Sequence, residues 1–198
     1  EAQAGVGAAL YLGGNEAGTV SYLDKLHPQS AEAGAERLYY LTEAYRKLDD
    51  DSNMMASVKE LGEQYPASPW RLKALITAGN RYLLTQDRAQ YVPLYQAVAE
   101  AFPGDTAAPL SHWRMVWSAW LDHSPRREEL LREQVEKFPN DTHVSDALFF
   151  LGREAEEQSS FGAARAYYEA LSAQFPHYYY AGLARERLST PKLAGAKL

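Results

Sequence analysis

Apolar residues recur along this chain three and four positions apart, and no segment alternates with the period of two that a strand needs. The pattern divides into pairs of amphipathic stretches. First helices are expected near 31–48, 69–85, 106–121 and 142–157, and second helices near 16–26, 53–65, 88–102, 125–138 and 160–175. Residues 3–12 read as a shortened first helix and 178–188 as a final one. Turn-forming residues separate the partners: Gly13-Gly14-Asn15, Asp49-Asp50-Asp51-Ser52, Gln86-Asp87, His123-Ser124-Pro125 and Gln158-Ser159-Ser160. Pro69 and Pro125 stand where a first helical turn tolerates proline.

The end of each pair carries a marker. A bulky residue precedes proline at His27-Pro28, Tyr65-Pro66, Phe102-Pro103, Phe138-Pro139 and Phe175-Pro176, at intervals of 38, 37, 36 and 37 residues. Proline lacks an N–H and clashes with the preceding turn, so each marker stops a helix. Gln29-Ser30, Ala67-Ser68, Gly104-Asp105-Thr106 and Asn140-Asp141-Thr142 follow, and these supply turns and caps for the next helix. His177-Tyr178 departs from that habit.

This register resembles the tetratricopeptide repeat. The matching residues are Leu148, Leu151-Gly152, Ala164, Tyr168 and Pro176 in one repeat, and Ala78-Gly79, Tyr82, Tyr91, Tyr95 and Pro103 in another. Leu38, Leu41, Tyr45, Leu61 and Pro66 follow the pattern with Thr42 in place of Gly, and residues 107–139 depart most, with Val116 at the small site. The resemblance implies an all-α fold: a right-handed superhelical solenoid of about five antiparallel helix pairs, forming one domain over 1–198 with a terminal helix at 178–188.

Composition adds limits. Hydrophobic residues make up 46% and charged residues 23%, as in ordinary globular chains. The net charge of −6 and the lack of a basic run argue against nucleic acid as partner. No apolar run approaches the roughly 18 residues of a membrane span. The chain has no cysteine, which excludes disulfides, zinc thiolates and a Cys nucleophile. It begins at Glu1 without Met, as a mature product or an excised fragment would.

Catalytic constellations were sought and none emerges. His27, His112, His123, His143 and His177 include no pair at i, i+4 and read as turn or surface residues. Neither a phosphate-binding glycine loop nor a G-x-S-x-G elbow occurs. Asp49, Asp51, Asn53 and Glu60 have the spacing of a calcium loop, but Met54 stands where the mid-loop Gly is required. The simpler reading is an acidic turn with Ser52 or Asn53 as helix cap. Asn140-Asp141-Thr142 is a formal glycosylation sequon that reads better as a helix-capping turn. The expectation is therefore no catalytic residue, no metal site and no cofactor.

Binding candidates come from the first helices, which line the groove in tetratricopeptide superhelices. Trp113, Trp117 and Trp120 share one helical face. Trp113 aligns with Tyr39, Ile76 and Phe149, and the next column holds Glu43, Asn80, Trp117 and Arg153. These rings are either core or a platform for sugars or a peptide. Arg46, Asn80 and Arg153 would meet an anionic ligand.

The segment His177-Tyr178-Tyr179-Tyr180-Ala181-Gly182-Leu183-Ala184-Arg185-Glu186-Arg187-Leu188 is unusual. It resembles a phrase in the superhelical part of soluble lytic murein transglycosylases, through Tyr179, Leu183, Arg187 and Leu188. The Glu-Ser pair and Gly-Leu-Met-Gln stretch of that family's catalytic domain are missing. The resemblance implies a non-catalytic module of a periplasmic cell-wall protein that contacts peptidoglycan. The alternative is an adaptor for a protein or peptide partner in envelope assembly, and a cytoplasmic setting fits the sequence as well. The simpler reading of the tyrosines is a cover for the end of the solenoid.

Overall fold

In the computed structural model, which describes residues 2–197, the fold is all-α. The helices among the described residues are α1 (Ala2–Leu12), α2 (Glu16–Leu23), α3 (Ala31–Lys47), α4 (Asp51–Gln64), α5 (Pro69–Leu84), α6 (Arg88–Ala101), α7 (Ala108–Leu121), α8 (Arg127–Lys137), α9 (His143–Glu157), α10 (Phe161–Gln174), α11 (Tyr179–Leu188) and α12 (Pro191–Ala194). None is long and apolar enough to cross a membrane.

Several helices start on a side chain that meets an otherwise unpaired N–H. Asn15 accepts from Gly18, Ser30 from Ala33, Ser68 from Trp70 and Asp87 from Gln90. Asp141 Oδ1 accepts from His143 N at 2.9 Å. At α4 the cap is Asp50, which accepts from Asn53 N at 3.0 Å, so the cap lies two or three residues before the expected Ser52 or Asn53.

The turns within pairs repeat one conformation. Gly14, Asp49, Gln86, His123 and Ser159 all take positive φ, between 50° and 76°. At every one, the following residue's N–H donates to the carbonyl five positions back, as in Asp50 to Tyr45 and Asp87 to Tyr82. This is the Schellman termination, and it reverses the chain within three residues so that partner helices run antiparallel. The turns between pairs also repeat. Tyr65, Phe102, Phe138 and Phe175 cap the second helices, and each carbonyl accepts from the N–H three residues on. Proline occupies the second position of each four-residue turn, where its fixed φ fits.

The helix bounds differ from the sequence reading in places. Helix α2 stops at Leu23, and Pro125 lies in the turn before α8 rather than in its first turn. Pro93 sits inside α6 on the exposed side, where a missing backbone bond faces water. The four-residue α12 has too short a span for a periodic signal, yet it buries Leu193 fully.

The chain forms two compact units, 1–111 and 112–198, with the boundary inside α7. In the first unit α3 packs on α1 and α2, and α5 packs on α3 and α4. Leu23, Leu38, Leu41, Met54, Leu61, Leu75, Leu94 and Val98 fill its core. In the second unit α9 packs on α8, α10 on α9, α11 on both α9 and α10, and α12 on α10. Arg165 Nη1 there donates to the carbonyls of Ala194 and Ala196, which holds the segment after α12 against α10.

Close approach inside a pair depends on a small residue opposite a large one. A Cβ at Gly79 would lie 2.9 Å from the Tyr95 ring, and one at Gly152 would run into Tyr168.

Candidate functional site

In the first unit, α3 and α5 enclose a cleft of about 310 Å³ lined by Glu43, Arg46, Thr77, Asn80, Arg81 and Leu84. Glu43 is only 8% exposed. Its carboxylate accepts from Tyr11 Oη at 2.8 Å, Thr77 Oγ1 at 2.6 Å and Arg46 at 2.8 and 3.2 Å. Burial alone would raise the Glu43 carboxyl, but the bonds from Thr77, Arg46 and Tyr11 outweigh it and hold the group below its usual range. Burial, then the bond to Glu43, pushes Tyr11 up to about 12. Arg81 bridges Asp49 at 2.9 Å and Asp51 at 3.1 Å. The suspected calcium-loop residues are thus an ion-paired turn, with Asn53 already inside α4. Tyr95 Oη donates to Asn80 at 2.8 Å. Glu43, Arg46 and Asn80 therefore tie helices α1, α3, α5 and α6 together. Tyr39 packs on the core beside Tyr40 and Trp70, whose rings lie 5.1 and 5.2 Å away.

The second unit gathers the remaining candidates into one continuous set of rings. Trp113 stacks on His143 at 5.0 Å with planes 7° apart, and on Trp117 at 6.2 Å. Trp117 and Trp120 both meet Phe150, at 5.4 and 4.7 Å. Phe149 and Phe150 meet Tyr180, at 4.8 and 5.4 Å, and Tyr180 meets Tyr179 at 5.2 Å. Two members of this set face solvent: Trp117 is 37% exposed and Tyr179 is 75% exposed. Trp113, Trp120 and Tyr180 are half-buried, and Phe149 is core. The set thus divides: Phe149 and Phe150 are packed, while Trp117 and Tyr179 are displayed.

Polar groups border the rings. His143 Nδ1 lies 2.8 Å from Asp146 Oδ2. Arg127 sits 5.6 Å from the Trp120 ring while binding Glu154 through two nitrogens. Arg153 follows Phe149 and Phe150 by one turn, and its Nε is buried without an acceptor. In the terminal motif, Tyr178 is exposed and packs on Phe175 at 5.4 Å, Leu183 is half-buried, and Arg187 Nε binds Glu156 at 3.2 Å. Tyr168 Oη donates to the same Glu156 at 2.6 Å, and burial followed by that bond raises its hydroxyl.

Sequence reasoning missed two members. Phe150 touches four of the other rings, and a step of 37 rather than 36 from Trp113 would have selected it instead of Phe149. His143 was read as a surface residue but forms the flat stack with Trp113. His112 was also misjudged: it is 2% exposed, with ring nitrogens 2.7 Å from Gln134 Oε1 and 3.3 Å from Glu133 Oε2. Among the described residues, no group of three acidic or histidine side chains could hold a metal.

No family model and no curated protein matches the sequence. The crystal structure of a proposed protein binding protein from Bacteroides ovatus ATCC 8483 is similar at 14% identity, covering 94% of each chain with a TM-score of 0.40. That likeness is too distant to bear on the ligand.

Proposed function

We propose that this chain is a non-catalytic binding module of tetratricopeptide type, its helix pairs stacked as a right-handed superhelical solenoid, and that it binds through the ring surface of its second unit. The observation that carries this reading is the exposed pair Trp117 and Tyr179, joined through Phe150 and Tyr180. Exposed aromatic faces backed by packed rings are rigid, so little entropy is lost when a flat ligand settles on them. The finer proposal is that the ligand is peptidoglycan and the chain is the helical-repeat part of a periplasmic murein transglycosylase. The terminal tyrosine motif supports it, since Tyr179 and Tyr180 belong to this surface.

Soluble murein fragments added to the purified chain are expected to shift tryptophan emission, and Trp117→Ala is expected to abolish the shift. Unchanged emission at saturating fragment would contradict the peptidoglycan reading. Mass spectrometry of murein incubated with the chain is expected to show no new products, and release of anhydro-sugars would overturn the non-catalytic reading.

A second reading, an adaptor for a protein or peptide partner, draws on the same surface. A defined peptide crosslinked at Trp117 or Tyr179, with murein unbound, would favour it.

A further inference from the structure

The last turns of α9 carry three carboxylates and one arginine. Arg127 takes Glu154 at 2.6 and 2.9 Å and Glu157 at 3.4 Å. Arg187 Nε and Tyr168 Oη share Glu156 Oε1, at 3.2 and 2.6 Å. Every nearby carboxylate on the helix is therefore held by another residue. Arg153, on the same turns, makes no hydrogen bond or ion pair among the described residues, and its Nε is buried. Buried donors nearly always have a partner, and a charged one left unmet is costly. The guanidinium fork matches a carboxylate through two parallel bonds.

The position of this arginine matters. Phe150 lies three residues before it on one helical face, and Phe150 is the ring that supports Trp117 at 5.4 Å. In the repeat register Arg153 occupies the same column as Trp117. Arg153 thus stands one helical turn from Phe150, the buried ring on which the displayed Trp117 packs.

We infer that Arg153 and Trp117 form a subsite for an acidic saccharide, with the sugar ring on Trp117 and its carboxylate on Arg153. This rests on the saccharide reading above and adds the charge that the ligand must carry. The unpaired cation sets that charge, and the displayed ring face suits the flat C–H side of a sugar better than the side chain of a peptide, which seeks a pocket.

The test uses the full chain and two disaccharides: N-acetylglucosaminyl-N-acetylmuramic acid, and chitobiose, which lacks the lactyl carboxylate. The readout is the tryptophan indole N–H spectrum. Trp70 serves as an internal control, because its Nε1 donates to Glu32 at 2.7 Å in the first unit. The acidic disaccharide is expected to move the Trp117 signal, leave Trp70 unmoved and bind about tenfold more tightly than chitobiose, as one charge-assisted contact allows. Arg153→Met, which keeps the aliphatic stem, is expected to remove that preference without lowering the melting temperature. Arg153→Lys should restore part of it. Equal affinity for the two disaccharides, or an unaltered preference in Arg153→Met, overturns the Arg153 assignment and leaves the saccharide reading intact. A spectrum unmoved by either disaccharide, or moved only by an acidic peptide, overturns both.

Discussion

Glu43 shows how a residue in a groove column can be structural. Its carboxylate takes hydrogen bonds from a tyrosine 32 residues earlier and a threonine 34 residues later. Removing one partner of a buried, bonded charge leaves the others unmet, so Glu43→Ala is expected to cost about 3 kcal/mol in urea unfolding. Acid titration provides a second check. The folded Glu43 lies below its ordinary 4.5, so the unfolded chain binds the proton more readily. Its contribution is complete above about pH 4.5 and is lost as pH falls through the depressed folded value. Urea midpoints of the native protein should therefore fall more steeply below that pH than those of Glu43→Gln; parallel curves would contradict the account. The sequence register aligns Glu43 with Asn80, Trp117 and Arg153. The donors that fix its role come from other repeats, and no spacing rule names them.

Helices and turns are the most legible level, because their signals are local. Proline after an aromatic, a polar cap and a period of three to four are each readable within a few residues. The left-handed turn positions were less legible, since Asp49, Gln86, His123 and Ser159 are not glycine. Each carries a left-handed strain of about 1–2 kcal/mol. Exposed Gln86→Gly should thus stabilise by about 0.5–1 kcal/mol after the added freedom of the unfolded chain is subtracted. Calorimetry checks this, and a lower melting temperature would count against the turn geometry. The small-to-large pairing predicts a reversal of sign. Gly152→Ala should destabilise by about 1–3 kcal/mol against Tyr168, but it should become neutral or stabilising in a Tyr168→Leu background, where alanine's helix propensity dominates. Equal cost in both backgrounds would refute the pairing.

Across the whole molecule the repeating frame stays constant while the first-helix columns change character. Glu43, Asn80, Trp117 and Arg153 share one column. In the first unit its members bond to their neighbours. In the second unit it displays a ring and leaves a cation unpaired. That contrast, rather than the repeat itself, is what the proposed binding surface rests on, and it depends on burial that the sequence could not supply for Trp117 against Trp113. The direct test is co-sedimentation of the purified chain with insoluble peptidoglycan, comparing the native protein with Trp117→Ala/Tyr179→Ala. Tyr179 is 75% exposed, but Trp117 is 37% exposed and packs on Trp113 and Phe150, so some loss of melting temperature is expected and the comparison is made where the variant keeps the native helical signal. The native chain is expected in the pellet and the variant in the supernatant. A native chain that stays in the supernatant, or a variant that pellets equally well, would contradict the account.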